Sequence, residues 1–256
     1  MDDQNLKASS SQLLRQFGFA VTEIPKSEHV PTPDFHAEKG GMHFMIELKS
    51  REDDEKRLET ERQTLKAGKV ASKTETTNRT NIVSGIVRDA VEQLQDYSTP
   101  PGAFKVVWLH ASGSDPELQF MQFRGSLYGL CDIFDMSEER DNRVCYYFDF
   151  NDFFRYRTVL DGAMLTTDSQ LQVCINDFSL NAEQFRGSTL VEAFRGGIVD
   201  PSELERQGCA YVADCDHDRR DKRKIIAYIQ EKYGKQLLRD ISLQKATAMI
   251  QVPRLK

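Results

Sequence analysis

Long apolar runs are absent. No segment of this 256-residue chain approaches the roughly 18 consecutive apolar residues a membrane-spanning helix needs, although 39% of residues are hydrophobic and 29% charged. The start, Met1-Asp2-Asp3-Gln4-Asn5, lacks the basic residues and apolar stretch of a secretory signal. Both absences lead to the expectation of a cytoplasmic globular protein. Cysteine is scarce and odd in number, at positions 131, 145, 174, 209 and 215, which suits buried thiols rather than a disulfide framework. Cys209, Cys215 and His217 have zinc-ligand chemistry, but Cys-x5-Cys-x-His is no familiar zinc knuckle and a fourth ligand is missing. Positive charge is also in deficit: the net charge of −6 weighs against indiscriminate nucleic-acid binding. Its distribution is uneven, since Arg219 to Lys256 holds 11 Lys/Arg against 3 Asp/Glu, a net +8 that leaves −14 on the preceding 218 residues. A local basic surface of that kind can steer a polyanion on an otherwise acidic molecule.

Leu13, Leu14 and Phe17 fall at helical spacing, which predicts a helix over Ser9 to Phe17, capped by Ser9, Ser10 or Ser11 and ended by Gly18. Phe19 to Ile24 alternates as a strand and stops at Pro25. The stretch Pro33 to Lys49 then reads as two strands joined at Gly40-Gly41, a pair suited to a two-residue hairpin turn. With that turn, Lys39 faces Met42 and Asp34 faces Glu47. Side chains alternate along a strand, so Glu47 and Lys49 share one face while Phe44, Ile46 and Leu48 enter a core on the other.

Ser50 to Thr80 carries 8 Lys/Arg and 7 Asp/Glu and few large apolar residues, so it reads as a mobile arm or exposed helix leading to a flexible loop. A wide apolar stripe from Ile82 to Leu94 predicts a helix capped by Asn81 and running to about Tyr97. Phe104 to His110 has the continuous apolar character of a buried strand. Further on we expect a helix over 115–130, a strand over 144–150, a hairpin over 163–175, one helix over 181–194, a short strand at 210–213 and a helix over 223–233. The aromatic cluster Tyr146, Tyr147, Phe148, Phe150, Phe153, Phe154 and Tyr156 is read as core, with a partner surface as the alternative. Asp214, Asp216 and Asp218 beside Arg219 and Arg220 read as a turn into the last helix.

Pro33-Asp34, then Glu47-Leu48-Lys49 after twelve residues, resembles the PD-(D/E)xK signature of restriction-endonuclease-like nucleases. The order helix, three strands, helix, strand over the first 112 residues is that of the family core, and Gln93-Leu94-Gln95-Asp96-Tyr97 resembles the Q-x-x-x-Y element of RecB-like members. The resemblance implies an α/β fold with a restriction-endonuclease-like core over 1–112; the residues themselves add a charged insertion at about 50–80 and a mixed α+β C-terminal extension over 113–256, either separate or packed on the core as one domain. It implies a nuclease, endonuclease or exonuclease, acting on DNA with Mg²⁺, for which Mn²⁺ would substitute. Asp34 and Glu47 would be metal ligands with the Leu48 carbonyl, Lys49 would orient water and stabilise phosphate charge, and Gln93 and Tyr97 would position substrate.

Physical chemistry agrees with the assignment: Mg²⁺ prefers hard carboxylate oxygens, and opposed strand residues have Cβ atoms about 4.5–5.5 Å apart. Many family members carry an acid on the first helix, where Ser9 to Phe17 has none; Gln12, or an approach by Asp2, Asp3 or Glu23, would have to compensate. His29 and His36 flank Asp34; His36 shares its strand face and is either an auxiliary ligand or base or a histidine satisfied by a backbone group. The alternatives are a catalytically inactive nuclease-fold module that binds nucleic acid, or a protein-interaction protein; a homodimer or protein partner stays open.

Overall fold

The computed structural model describes residues 3–27, 31–137, 141–241 and 245–250. Helix α1 (Asp3–Gln16) starts six residues before the expected Ser9, because Leu6 continues the buried stripe of Ser10 and Leu14 by a further turn. Strands β1 (Ala20–Glu23), β2 (Phe35–Lys39) and β3 (Met42–Arg51) follow. Gly40 and Gly41 adopt φ of 61° and 75°, the left-handed conformation required at both centres of a type I′ turn. The predicted register is present: Lys39 pairs with Met42 and Phe35 with Ile46, and the Asp34 N–H donates to the Ile46 carbonyl at 3.1 Å.

The charged segment after β3 bears out the exposed helix and has a strand where a flexible loop was expected. It forms α2 (Glu55–Lys66), none of whose residues is buried, and β4 (Ala71–Thr76). Helix α3 (Asn81–Gln95) is capped by Thr80 rather than Asn81, the Thr80 hydroxyl accepting from Val83 N–H at 3.1 Å. Then come β5 (Phe104–Ala111), α4 (Pro116–Tyr128), β6 (Cys131–Asp135), β7 (Asn142–Tyr146), α5 (Asp152–Arg155), β8 (Gly162–Thr166) and β9 (Leu171–Ile175). The single helix expected over 181–194 is two, α6 (Ala182–Arg186) and α7 (Thr189–Ala193), because Gly187 ends the first and the Ser188 hydroxyl caps the second. The chain continues through β10 (Ile198–Val199), α8 (Pro201–Arg206), β11 (Ala210–Val212), α9 (Lys222–Tyr233), β12 (Leu238–Ile241) and β13 (Lys245–Ile250).

The fold is mixed α/β. A seven-stranded sheet runs in the order β1-β2-β3-β5-β8-β9-β10, with a four-stranded sheet β11-β7-β6-β12 and a ribbon β13-β4. The ribbon explains the ordered insertion: β4 pairs antiparallel with a strand from the far end of the chain, Ala71 opposite Ile250. Strands β3, β5 and β8 are parallel, so the central sheet crosses residue 112 without interruption. Both its faces are covered, as parallel strands require. Phe44, Ile46 and Trp108 pack with Leu14 of α1 on one face; Met45, Val107 and Leu109 pack with Val87, Val91 and Leu94 of α3 on the other.

Candidate active site

Glu47 and Lys49 lie near the C-terminal end of β3 on the face shared with Met45, beside α3. Asp34 enters from the adjoining chain, just before β2. The three border a cleft of about 480 Å³ together with Leu48, Lys7 and Asp3 of α1, Lys26, and Asp89, Glu92 and Gln93 of α3. Glu47 is only 1% exposed and Asp34 7%.

Each carboxylate meets a lysine. Lys49 Nζ lies 2.7 Å from Glu47 Oε1, and Lys7 Nζ pairs with Asp34 Oδ1. The Leu48 N–H donates to Asp34 Oδ2 at 2.9 Å, fixing that carboxylate against the hairpin. Glu47 Oε2 is buried without a hydrogen-bond partner among the described residues. Burial, and then the adjacent Asp34 charge, push the Glu47 carboxyl up to about 7, with Lys49 opposing the rise. The Lys7 ammonium is raised despite burial, because Asp34 accepts from it and Asp3 and Glu47 add negative charge.

A buried, oxygen-only pair with one uncompensated oxygen fits a hard divalent cation better than it fits solvent or a further lysine. The residues present therefore suit a hard divalent cation, to which Asp34 and Glu47 offer carboxylate oxygens with Leu48 on the same wall. Among the described residues, no set of three or more His, Cys, Asp or Glu side chains is gathered as a metal cage. This includes Cys209, Cys215 and His217; Cys215 instead accepts from Arg219 Nη1 at 3.6 Å.

Other expected residues separate. Gln93 lines the cleft, but Tyr97 does not: α3 ends at Gln95, and the half-buried Tyr97 ring packs against the core cluster under that helix. The four-residue spacing works only while the helix continues, and it stops two residues early. His36 turns to His43, with Nε2 to Nδ1 at 3.0 Å, and is not part of the cleft wall. His29 and Asp2 lie outside the described residues. Gln12 is exposed and Glu23 lies on the outer strand, whereas Asp3 does reach the cleft wall.

Sequence reasoning missed Lys7, Asp89 and Glu92. Extending the first helix back to Asp3 would have exposed the Asp3/Lys7 pair at i,i+4, and Asp89 stands the same distance before Gln93.

Residues 9–77 match the family model described as archaeal Holliday junction resolvase (Hjc). No curated protein matches the chain. The matched stretch runs from α1 through β4 and contains Asp34, Glu47 and Lys49. Over residues 9–77 this chain thus carries the sequence pattern of the PD-(D/E)xK nuclease superfamily, to which that family belongs.

Proposed function

We propose that this protein is a metal-dependent nuclease that hydrolyses phosphodiester bonds in DNA through Asp34, Glu47 and Lys49. The observation that carries this reading is the buried Asp34–Glu47 pair, with its partnerless Glu47 Oε2, set beside the Lys49 ammonium in an open cleft. Asp34, Glu47 and the Leu48 carbonyl would hold the ion. When bound, Mg²⁺, or Mn²⁺ in its place, supplies positive charge against a phosphate oxygen and acidity to water. Lys49 orients the attacking water and stabilises charge developing on the phosphate. Lys7 holds Asp34 in place and brings a second cation to the phosphate side. Gln93, an uncharged donor and acceptor on the facing helix, positions the nucleic-acid backbone.

The name of the matched family makes a four-way DNA junction the first substrate to try, with linear duplex beside it. The test is cleavage of end-labelled junction and duplex DNA by the full chain in Mg²⁺ or Mn²⁺. Asp34→Ala and Lys49→Ala should each lower the rate by at least about 100-fold, the scale expected when one charge-stabilising group is lost. Cleavage that survives both substitutions would remove the site assignment. Salt-dependent DNA binding without cleavage would leave the non-catalytic binding module as the better reading.

A further inference from the structure

A second cleft, of about 680 Å³, opens between α5 with its flanking loops and the loop that precedes α9. It lies outside the stretch matched by the family. Its walls carry Arg79, Arg155, Arg157 and Arg220 together with Phe150 and Phe154. Phe150 is 45% exposed although its aromatic neighbours Tyr147, Phe148 and Phe153 are fully buried. The guanidinium carbons of Arg79 and Arg220 each lie 5.9 Å from the Phe150 ring centre, and that of Arg157 lies 4.3 Å from the ring centre of Phe154.

The floor is built rather than accidental. Arg219 is buried, donates to the carbonyls of Ala213, Cys215 and His217 at 2.8–3.0 Å, and stacks 4.5 Å from the Phe154 ring centre. Its Nε is buried with no partner among the described residues. The exposed acids do little to cancel the arginines, while the buried Asp152 lies within electrostatic reach of Arg79 and Arg155. Asp216 and Asp218 stand 3.9 and 3.8 Å from Arg157 and Arg220 at exposed positions, where such pairs are weak. Asp152 is buried and accepts from the Ser84 hydroxyl at 2.9 Å.

An exposed aromatic ring, Phe150, set among arginines is what an unpaired base and its flanking phosphates require. The ring offers a stacking platform and the guanidinium groups track the backbone. A duplex would use the arginines but not the ring, because its bases are already stacked. The Ser84–Asp152 bond ties α5 to α3, the helix that also carries Glu92 and Gln93 into the Asp34–Glu47 cleft.

We infer that the Arg79/Phe150/Arg155/Arg157/Arg220 cleft is a binding site for a single-stranded segment of nucleic acid, separate from the candidate active site. This goes beyond the nuclease reading and does not depend on it. The test is fluorescence anisotropy with the full chain in EDTA, where cleavage cannot contribute, using a labelled oligothymidine of about 12 nucleotides and a duplex of the same length. Single strand should bind, and Phe150→Ala and Phe150→Leu should each weaken it about tenfold while leaving duplex binding unchanged. The leucine variant keeps an apolar side chain and so separates ring stacking from folding. Arg155→Ala should reduce the salt dependence of single-strand binding by about 0.7 in log–log slope, one phosphate contact. The inference is overturned if the full chain does not hold the single strand, if both Phe150 variants bind it like the original, or if they weaken duplex equally.

Discussion

Glu47 has the most informative chemistry at the scale of single residues. Its carboxyl is raised to about 7 in the folded protein against an ordinary 4.5. An acid raised by folding binds its proton more tightly in the native state, so the favourable contribution present below pH 4.5 is lost as pH rises toward 7. Glu47→Gln keeps the shape and cannot ionise. Urea unfolding without divalent ions should therefore show the variant gaining on the original between pH 4.5 and 7, by about 3 kcal/mol at pH 8. Equal pH profiles for the two proteins would contradict the burial of an ionisable Glu47. Mg²⁺ at pH 8 should raise the melting temperature of the original chain and leave Glu47→Gln unmoved, because only the ionised carboxylate pair favours the cation. The Asp34–Glu47–Lys49 constellation was readable because strand alternation and a Gly-Gly turn together determine register. Lys7 was not readable, since its role depends on where the first helix begins.

At the scale of elements, two glycines hold the arrangement. Gly125 on α4 faces Asn78 so closely that an added Cβ would lie 2.6 Å from the Asn78 Cα, a backbone atom that cannot swing aside. Gly125→Ala should cost about 1–3 kcal/mol by overpacking, read as a lowered urea midpoint at unchanged slope. Gly40 at φ 61° lies within the hairpin that sets the Asp34–Glu47 register. Gly40→Val strains that turn by about 1–2 kcal/mol and should depress cleavage more than Gly125→Ala does at equal loss of stability. Most elements were legible from periodicity, including α3, β5 and the β8–β9 hairpin. In the insertion, the exposed helix α2 was one of the two readings the composition allowed, but β4 was not legible: it is paired by β13, and a partner so distant in sequence leaves no local signal. The split of α6 from α7 was hidden for a different reason: the apolar pattern runs through Gly187 and Ser188, while the capping hydroxyl resets the axis.

At the scale of the whole molecule, the division at residue 112 in the sequence reading meets a continuous sheet. β5 pairs with β8 along Val106 to His110, and Val107 and Leu109 share a core cluster with Phe123, Phe153 and Leu165. A fragment ending at residue 112 would expose that strand edge and half of that core. It should show no cooperative unfolding transition by circular dichroism; a sharp transition would show that the first 112 residues fold alone. The basic C-terminal stretch also reads differently in three dimensions. Lys222 pairs with Asp149, Lys232 with Glu205 and Asp214, and Lys235 with Asp135, so much of its charge serves to fasten α9 and the strand after it. Arg220 of this stretch instead joins Arg79, Arg155 and Arg157 around the aromatic rings of the second cleft.

On the proposed function, Asp34 and Glu47 together should hold a divalent cation. Crystals of the full chain soaked in Mn²⁺ at about pH 8, where a carboxyl raised to about 7 is ionised, test it directly through anomalous density. A single strong peak is expected between the Asp34 and Glu47 carboxylates. No peak there, with Lys49 still seated on Glu47 and Lys7 on Asp34, would contradict it.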